Sequence, residues 1–272
     1  MEPGQNNGSP APDKPSSLGG GNFAGGGANM QPQISIGSVL SRSLAILMKN
    51  PLLYLVLAVL AVVPGVILQA TMPMSVDPQT ATTASVLGPQ LIVAILNAIL
   101  SMVIQGAIVY AVFQSLSGQR AEIGSTISRG LARIVQLLLA SILVGLATGI
   151  GMLLFIIPGI IIMCICAVTI PACVLEKLGA VESISRSAAL TKNNRMRIFG
   201  LLVIVNVVIY ILIMIVSAMA VSIGSQAVFI VIMVIALTIP QAFNCIMLAI
   251  IYCDLRVIKE GANIDALARV FD

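Results

Sequence analysis

Six long apolar runs dominate this sequence, and none of them carries a charged residue near its middle. A helix of about 20 apolar residues crosses the ~30 Å hydrocarbon layer of a bilayer. A transmembrane barrel would instead show alternating segments of about ten residues, so the pattern predicts helices. The predicted spans, in chain order, are Leu52–Thr71, Leu91–Gln114, Ile134–Ile157, Ile160–Leu175, Ile198–Val221 and Ala227–Cys253.

Only Pro158-Gly159 separates the third predicted span from the fourth. A single helix over residues 134–175 would be about 63 Å long, twice the ~30 Å hydrocarbon thickness. The sequence therefore predicts a tight hairpin turn at Pro158-Gly159. The fourth span is short and contains Pro171, so the sequence leaves open whether it is bent or crosses completely.

Lys and Arg residues are confined to alternate connections between the spans. Apart from Lys14 near the N-terminus, each of them lies before span one, between spans two and three, between spans four and five, or after span six. Cytoplasmic loops carry an excess of Lys and Arg. The pattern therefore predicts a multi-pass protein of the cell inner membrane with both termini in the cytoplasm.

The composition agrees with a membrane protein and excludes several other classes. The chain is 58% hydrophobic and 9% charged, whereas an ordinary soluble domain has about 25% charged residues. The net charge of +4 does not indicate nucleic-acid binding, because the basic residues lie near helix ends or in the tails. The sequence has no histidine, no paired carboxylates at catalytic spacing, no phosphate-binding loop and no serine nucleophile motif. We therefore predict no catalytic residue, no cofactor and no enzymatic activity.

Three short segments with helical apolar periodicity precede the three predicted hairpins. They are predicted to be amphipathic helices at the cytoplasmic membrane interface: Ile34–Met48, Glu122–Ile134 and Leu178–Lys192. Each contains a Ser-Arg pair that follows Leu or Ile and has Ala three residues after the arginine. This pattern favours a triplicated unit, although convergence of three similar interfacial helices is an alternative. The arginines, which we predict to contact lipid headgroup phosphates, are Arg42, Arg129 and Arg186.

The predicted fold is all-α: a polytopic bundle of six transmembrane helices arranged as three hairpins, each preceded by a cytoplasmic amphipathic helix. Residues 1–32 are rich in Gly, Pro, Asn and Ser and are predicted to be a disordered tail. Residues 33–262 form the predicted transmembrane domain. Residues 263–272 are a predicted cytoplasmic C-terminal tail.

Polar residues within the spans are the remaining candidates for a site. Polar side chains in a bilayer tend to face the bundle interior, where they line a solute path or form hydrogen bonds between helices. The residues in question are Asn97, Gln105, Asn206, Gln241 and Asn244. At the cytoplasmic ends of the spans, Glu176 and the Asp254–Arg256 segment are predicted to pair, along with Arg186, as structural clamps.

Five cysteines lie in or beside the apolar runs and are predicted to be reduced packing residues. Cys164 and Cys166 form the spacing of a metal or redox pair, but residues two apart on a helix point in different directions. No second pair matches them, so we predict no metal site.

Three motifs resemble those of a known family: P-x-x-x-x-E-K-x-G-A-V-E-S-I-S-R-S-x-x-L-T-K at 171–192, Y-C-D-L-R-V-I-K-E-G at 252–261, and I-P-G-I at 157–160. They are similar to those of bacterial six-helix membrane proteins of unassigned function. This family is related to the membrane domain of glycerophosphodiester phosphodiesterases. The resemblance covers residues 33–262 and implies a location and an architecture. The phosphodiesterase catalytic domain is absent from this sequence.

Two functional hypotheses follow. The first is a non-enzymatic membrane protein whose basic cytoplasmic helices engage membrane lipids or a protein partner, with a homo-oligomer as a further option. The second is a small-solute transporter or channel that uses the polar residues of spans two, five and six. An accessory membrane module for a separate lipid enzyme is a third, less supported interpretation.

Overall fold

The computed structural model describes residues 35–71, 83–117 and 123–261. The side chains of residues 68–94, Ile123, Ser125, Arg129 and Ile156 lie outside that description, as do both predicted tails. Every regular element of the described residues is an α-helix. Ten helices are seen there: α1 Ile36–Lys49, α2 Pro51–Thr71, α3 Thr83–Leu116, α4 Ile123–Leu131, α5 Ile134–Leu154, α6 Ile156–Ile165, α7 Thr169–Leu175, α8 Ala180–Thr191, α9 Arg195–Ser222 and α10 Gln226–Glu260.

Five stretches of these helices are long and apolar enough to cross a membrane. A sixth is counted if α1 and the described part of α2 form one span, which is bent by 96°. The prediction of an all-helical chain able to span a membrane several times is therefore confirmed. The five stretches are Ile95–Leu116, Ile134–Leu154, Ile157–Leu175, Arg195–Ser222 and Gln226–Glu260.

Helix boundaries differ from the predicted spans in three places. Helix α3 begins at Thr83, eight residues before the predicted Leu91. Helix α10 continues through Pro240 to Glu260 and ends at Gly261, whose φ of +61° closes the helix in the left-handed conformation. The predicted fourth span is two helices, α6 and α7, separated by a break at residues 166–168.

The turn between α5 and α6 lies at Phe155, three residues before the predicted Pro158-Gly159. Phe155 is extended, with φ −157° and ψ 143°, and Pro158 lies in the first turn of α6. Gly159 instead permits close approach of the two helices, because a Cβ there would lie 2.7 Å from the backbone nitrogen of Met152. Helix α6 packs on α5 across this turn, and Gly159 has a packing role there.

The long helices pack in sequential pairs: α2 on α3, α5 on α6 and α9 on α10. The short helices pack on the helix that precedes them in the chain, α4 on α3 and α8 on α7. Helix α1, the first described helix, packs on α10, the last. Contacts of α10 with α2, of α3 with α5 and of α6 with α9 link the three long pairs into a closed cycle.

Most of the hydrophobic core lies in one part of the molecule, which we refer to as the core end. It comprises α1, α4, α7, α8, the first half of α2, the second half of α3, the start of α9 and the second half of α10. The exposed segments are the remainder of three long helices: α5 after Ala140, α9 after Val205 and α10 before Ala242. A small second cluster of Val66, Ala220 and Met233 joins α2, α9 and α10 there.

The lengths of α3 and α10 explain how one helix belongs to both parts. They contain 34 and 35 residues and are about 51 and 52 Å long at 1.5 Å per residue. The hydrocarbon layer accounts for only ~30 Å of that length. The charged last turns of α10 belong to the core end with the short helices, whereas the additional length of α3 precedes its apolar stretch Ile95–Leu116.

Candidate functional site

Glu176, directly after α7, is the centre of a charged cluster at the core end. Its two carboxylate oxygens accept hydrogen bonds from Arg186 Nε on α8, at 2.9 and 2.8 Å. Its Oε1 also accepts a hydrogen bond from Tyr252 Oη on α10, at 2.6 Å. Because the Glu176 side chain is only 14% exposed, these bonds replace the water that a buried carboxylate loses.

Arg256 and Glu260, in the last turns of α10, complete the charged cluster. Arg256 Nε donates to Glu260 Oε2 at 2.9 Å and lies 3.9 Å from Glu176 Oε1. Arg186 Nη2 forms an ion pair with Glu260 Oε1. Burial disfavours the charged form of Arg186, but its hydrogen bonds and ion pairs with Glu176 and Glu260 outweigh this effect and raise its pKa. Two carboxylates thus balance two guanidinium groups and tie α7, α8 and α10 together.

A second ion pair joins the first described helix to the last. Arg42 Nη1 on α1 lies 2.5 Å from Asp254 Oδ1 on α10, and the Asp254 side chain is 17% exposed. The predicted clamp of Glu176, Arg186 and Arg256 is confirmed, whereas Asp254 pairs with Arg42 instead of joining that cluster. Arg42 and Arg186, predicted to contact lipid phosphates, are therefore both held by carboxylates of the protein. The side chain of Arg129 lies outside the described residues.

Glu182 and Arg186 are four residues apart on α8, a spacing that permits an ion pair along one helix face, but they form none. Glu182 Oε2 instead accepts a hydrogen bond from the backbone nitrogen of Gly179 at 3.1 Å, which caps the start of α8. Arg186 forms its ion pairs with Glu176 and Glu260 instead.

The three segments that contain the Ser-Arg pattern also share a pattern of burial. The side chain three residues before the arginine is buried in Val39, Thr126 and Ser183. The side chain directly before the arginine is exposed in Ser41, Ser128 and Ser185. The residue directly after the arginine is small and buried in Ser43, Gly130 and Ser187. Such position-by-position agreement in three helices supports the interpretation of a repeated unit.

The small residue directly after the arginine makes a close contact in each of the three helices. It either donates a hydrogen bond to a backbone carbonyl or closely approaches a neighbouring helix. Ser43 Oγ donates to the Val39 carbonyl, within α1, at 2.7 Å. A Cβ at Gly130 would lie 2.6 Å from the Val103 carbonyl oxygen of α3. Ser187 Oγ donates to the Ile165 carbonyl at the end of α6, at 2.6 Å.

Ser187 also stabilises the break between α6 and α7. Its Oγ accepts a hydrogen bond from the Val168 backbone nitrogen at 3.3 Å. Thr191 Oγ1 reaches the same Ile165 carbonyl at 3.5 Å. The ends of broken helices expose backbone groups that need partners when they are buried. Helix α8 supplies those partners, so the motif serines have a structural role at this position.

Several basic side chains at the core end have no carboxylate partner among the described residues. Arg133 and Lys259 donate to the backbone carbonyls of Lys177 and Ala189, at 3.1 and 2.8 Å. The side chains of four others form neither a hydrogen bond nor an ion pair within the described part of the chain: Lys49, Lys177, Lys192 and Arg195. The three lysines are exposed. The core end therefore presents uncompensated positive charge.

The predicted interior polar residues do not meet at a common place. Asn97 lies against Gly65 of α2, with its Oδ1 buried and without a partner among the described residues. Gln105 is partly buried on α3. Gln241 and Asn244 are partly buried on α10, where Gln241 Nε2 lies 3.8 Å from Cys245 Sγ.

Asn206 differs from the prediction most clearly. Its side chain is exposed on α9 rather than directed into the bundle, and its Nδ2 donates to the Leu202 carbonyl at 2.8 Å. Helical periodicity alone could not identify this, because the lipid-facing and interior faces of a membrane helix are both apolar.

The five cysteines are free and buried, as predicted for packing residues. Among the described residues, no group of three or more His, Cys, Asp or Glu side chains is placed to hold a metal ion.

Sequence reasoning missed two members of the charged cluster, Tyr252 and Glu260. Together with Arg256 they are spaced by four along α10, so they lie on one helix face. That spacing was present within the 252–261 motif and could have identified them. Tyr54 Oη and Ser115 Oγ, 3.0 Å apart across α2 and α3, were also missed. No local pattern links two residues 61 positions apart.

Comparisons with protein-family models, curated proteins and solved structures found no match to this chain.

Proposed function

We propose that the chain is a non-enzymatic integral protein of the bacterial inner membrane, with six spans in three hairpins and both termini in the cytoplasm. Each hairpin is preceded by one of the short helices α1, α4 and α8. The alternation of basic and uncharged connections supports this topology, and so does the packing of the long helices in sequential pairs. From the same architecture and motifs, we also propose that the chain is related to the membrane domain of glycerophosphodiester phosphodiesterases.

The core end belongs, in this proposal, at the cytoplasmic surface of the membrane. The last turns of α10 project there, and the ion pairs of the charged cluster and of Arg42 with Asp254 lie there as well. Ionised groups are costly within hydrocarbon, which supports a position of the charged cluster and of the Arg42–Asp254 pair outside it. The exposed segments of α5, α9 and α10 then lie among acyl chains.

The protein engages anionic lipid headgroups through the core end. The observation that carries this function is the set of basic side chains without carboxylate partners described above. The surface of the cytoplasmic leaflet is negative, and each Lys or Arg near it contributes about 1 kcal/mol of attraction. Arg42 and Arg186 hold the short helices in place, whereas Lys49, Lys177 and Lys192 make the contact.

A charge-removal experiment tests this function. In the triple variant Lys49→Gln, Lys177→Gln, Lys192→Gln, we expect at least a tenfold loss in the anionic over zwitterionic phospholipid retained by the purified protein. Native mass spectrometry of protein in mild detergent measures that ratio. The matched control replaces the same lysines by arginine and should retain the lipid. An unchanged ratio in the glutamine variant, or loss of a bound protein instead of lipid, would contradict the proposal.

The alternative function, transport of a small solute, has less support. Asn97 lies between α2 and α3, Asn206 lies on the outer face of α9, and Gln241 lies on α10. The core end is filled by fully buried side chains that include Tyr54, Ile108 and Ile250. We therefore propose no solute path through the described residues.

A further inference from the structure

Asn206 and Tyr210 place polar atoms on the outward face of α9. Asn206 lies about 16 Å along the helix from Arg195 at its start, well inside the apolar stretch. The Asn206 Oδ1 has no hydrogen-bond partner among the described residues, since only its Nδ2 is engaged, by the Leu202 carbonyl. Tyr210 is 64% exposed, and its hydroxyl has no partner in the described part of the chain either.

Lipid cannot satisfy these groups. Acyl chains offer neither donors nor acceptors, so a polar atom facing them retains the full cost of desolvation. Asparagine in a membrane helix accordingly promotes association with another helix, where its amide finds a partner.

The surrounding residues have the geometry of a helix–helix interface. Val203, Asn206, Tyr210, Ile213 and Ser217 are spaced alternately by three and four residues. This is the repeat of a seam between two helices that cross at a shallow left-handed angle. The first four of these residues line an open groove of about 550 Å³ along α9.

We propose that this α9 stripe (Val203, Asn206, Tyr210, Ile213) is the interface between two copies of the chain, with α9 against α9 about a twofold axis along the membrane normal. The occupant is a second copy because the stripe is self-complementary. An asparagine amide carries both a donor and an acceptor, so two facing Asn206 side chains satisfy each other. The Tyr210 hydroxyl, one turn away, adds a further donor and acceptor. A polar position in an otherwise apolar seam also fixes the register of the two helices.

Cysteine crosslinking in native membranes tests the interface. Val203→Cys and Ile213→Cys lie on the stripe, whereas Ile204→Cys and Ile211→Cys are matched controls on another exposed face of α9. All four side chains belong to the same helix, and both controls are about half exposed. On oxidation we expect disulfide-linked dimers at the stripe positions to be at least tenfold more abundant than at the controls. The unmodified protein, whose five cysteines are buried, gives the background.

Substitution of Asn206 separates a specific interface from chance collision. In the Ile213→Cys background, Asn206→Leu should weaken dimerisation about five- to thirtyfold, which corresponds to about 1–2 kcal/mol. Asn206→Gln retains the amide and should preserve most of the crosslinking. Because Asn206 is exposed, neither change disturbs the interior of the bundle. Equal crosslinking on both faces, no crosslinking, insensitivity to Asn206→Leu, or crosslinking to a different protein would each overturn the proposal.

Discussion

The core end and the exposed segments contain the same kinds of apolar residue but differ in burial, which in our proposal reflects their different surroundings. In the core end, short helices close around fully buried side chains such as Leu57, Ile246 and Ile250, and ionised groups are paired. In α5 and in α9, which contain exposed segments, only 17% of the most apolar 18-residue stretch is buried. Water forces apolar side chains into a core, whereas acyl chains solvate a leucine as well as another leucine does.

The contrast shows that a single helix can have one closely packed part and one exposed part. Helix α9 is buried on one face up to Val205 and mostly exposed beyond it, and α10 changes in the opposite sense at Ala242. The buried parts of both helices therefore have to be complementary to α1, α7 and α8. The exposed parts need only be apolar, except where a polar residue such as Asn206 requires a partner.

The largest expected difference is between truncations of isoleucine in the two parts. Ile250→Ala removes a fully buried side chain from the core end and should lower the free energy of unfolding by about 2–5 kcal/mol. Ile211→Ala, on an exposed segment, should change it by less than about 0.5 kcal/mol. Reversible unfolding of the two variants in detergent measures both values. Equal losses would mean that the two parts do not differ in packing.

Loss of the central carboxylate should have the next largest effect. Glu176→Gln leaves Arg186 and Arg256 with only Glu260 as a counter-charge. Breaking a fully buried ion pair costs about 3–5 kcal/mol, and partial exposure of this cluster lowers our expectation to about 2–3 kcal/mol. The control is Glu182→Gln, an exposed carboxylate nearby, for which the expected loss is below about 1 kcal/mol. Thermal unfolding that does not distinguish the two variants would contradict the role of the charged cluster.

Two glycines of α4 provide a test with opposite signs. Gly130→Ala places a Cβ 2.6 Å from the Val103 carbonyl oxygen, and the resulting strain should cost about 1–2 kcal/mol of stability. Gly124→Ala meets no atom within 4 Å and should be neutral or stabilise α4 by about 0.5–1 kcal/mol. Chemical denaturation of both variants in detergent measures the difference. If Gly130→Ala is as stable as Gly124→Ala, α4 does not pack closely on α3.

The smallest effect is expected for the serine at the break between α6 and α7. Ser187→Ala removes the hydrogen bond of the Val168 backbone nitrogen and the shorter of the two that the Ile165 carbonyl accepts, and should cost about 1 kcal/mol. Ser185→Ala, two residues earlier and exposed, should lie within about 0.5 kcal/mol of the unmodified protein. Hydrogen exchange at Val168 should accelerate only in the first variant. Acceleration in both would show that α8 is loosened generally.

Hydropathy predicted the helical class and most of the spans, because the hydrocarbon layer imposes length and apolar composition on each helix separately. Helical periodicity of apolar residues likewise predicted the short helices α1, α4 and α8 to within a few residues. Partners distant in sequence could not be predicted in the same way. Arg42 and Asp254 are 212 residues apart, and nothing in the sequence around Arg42 identifies which acid it meets.

Three further features were beyond local sequence reasoning. Pro171, in the first turn of α7, indicated a possible bend in the fourth span, but not the break at residues 166–168, which depends on backbone partners that α8 supplies. The turn at Phe155 was predicted at Pro158-Gly159 because these residues are typical of turns, yet proline is equally suited to the first turn of a helix. Asn206 was predicted to face the interior, because periodicity does not distinguish lipid from protein as the apolar neighbour.

The central claim, that the core end lies at the cytoplasmic membrane surface and the exposed segments lie in lipid, can be tested by depth measurement. Spin labels at Ser185→Cys on α8 and Ile211→Cys on α9 in reconstituted bilayers report their relative contact with a water-soluble nickel complex and with oxygen dissolved in the hydrocarbon. We predict that relaxation by nickel dominates at position 185 and relaxation by oxygen dominates at position 211. Oxygen-dominated relaxation at both positions would place α8 in the hydrocarbon and contradict the account.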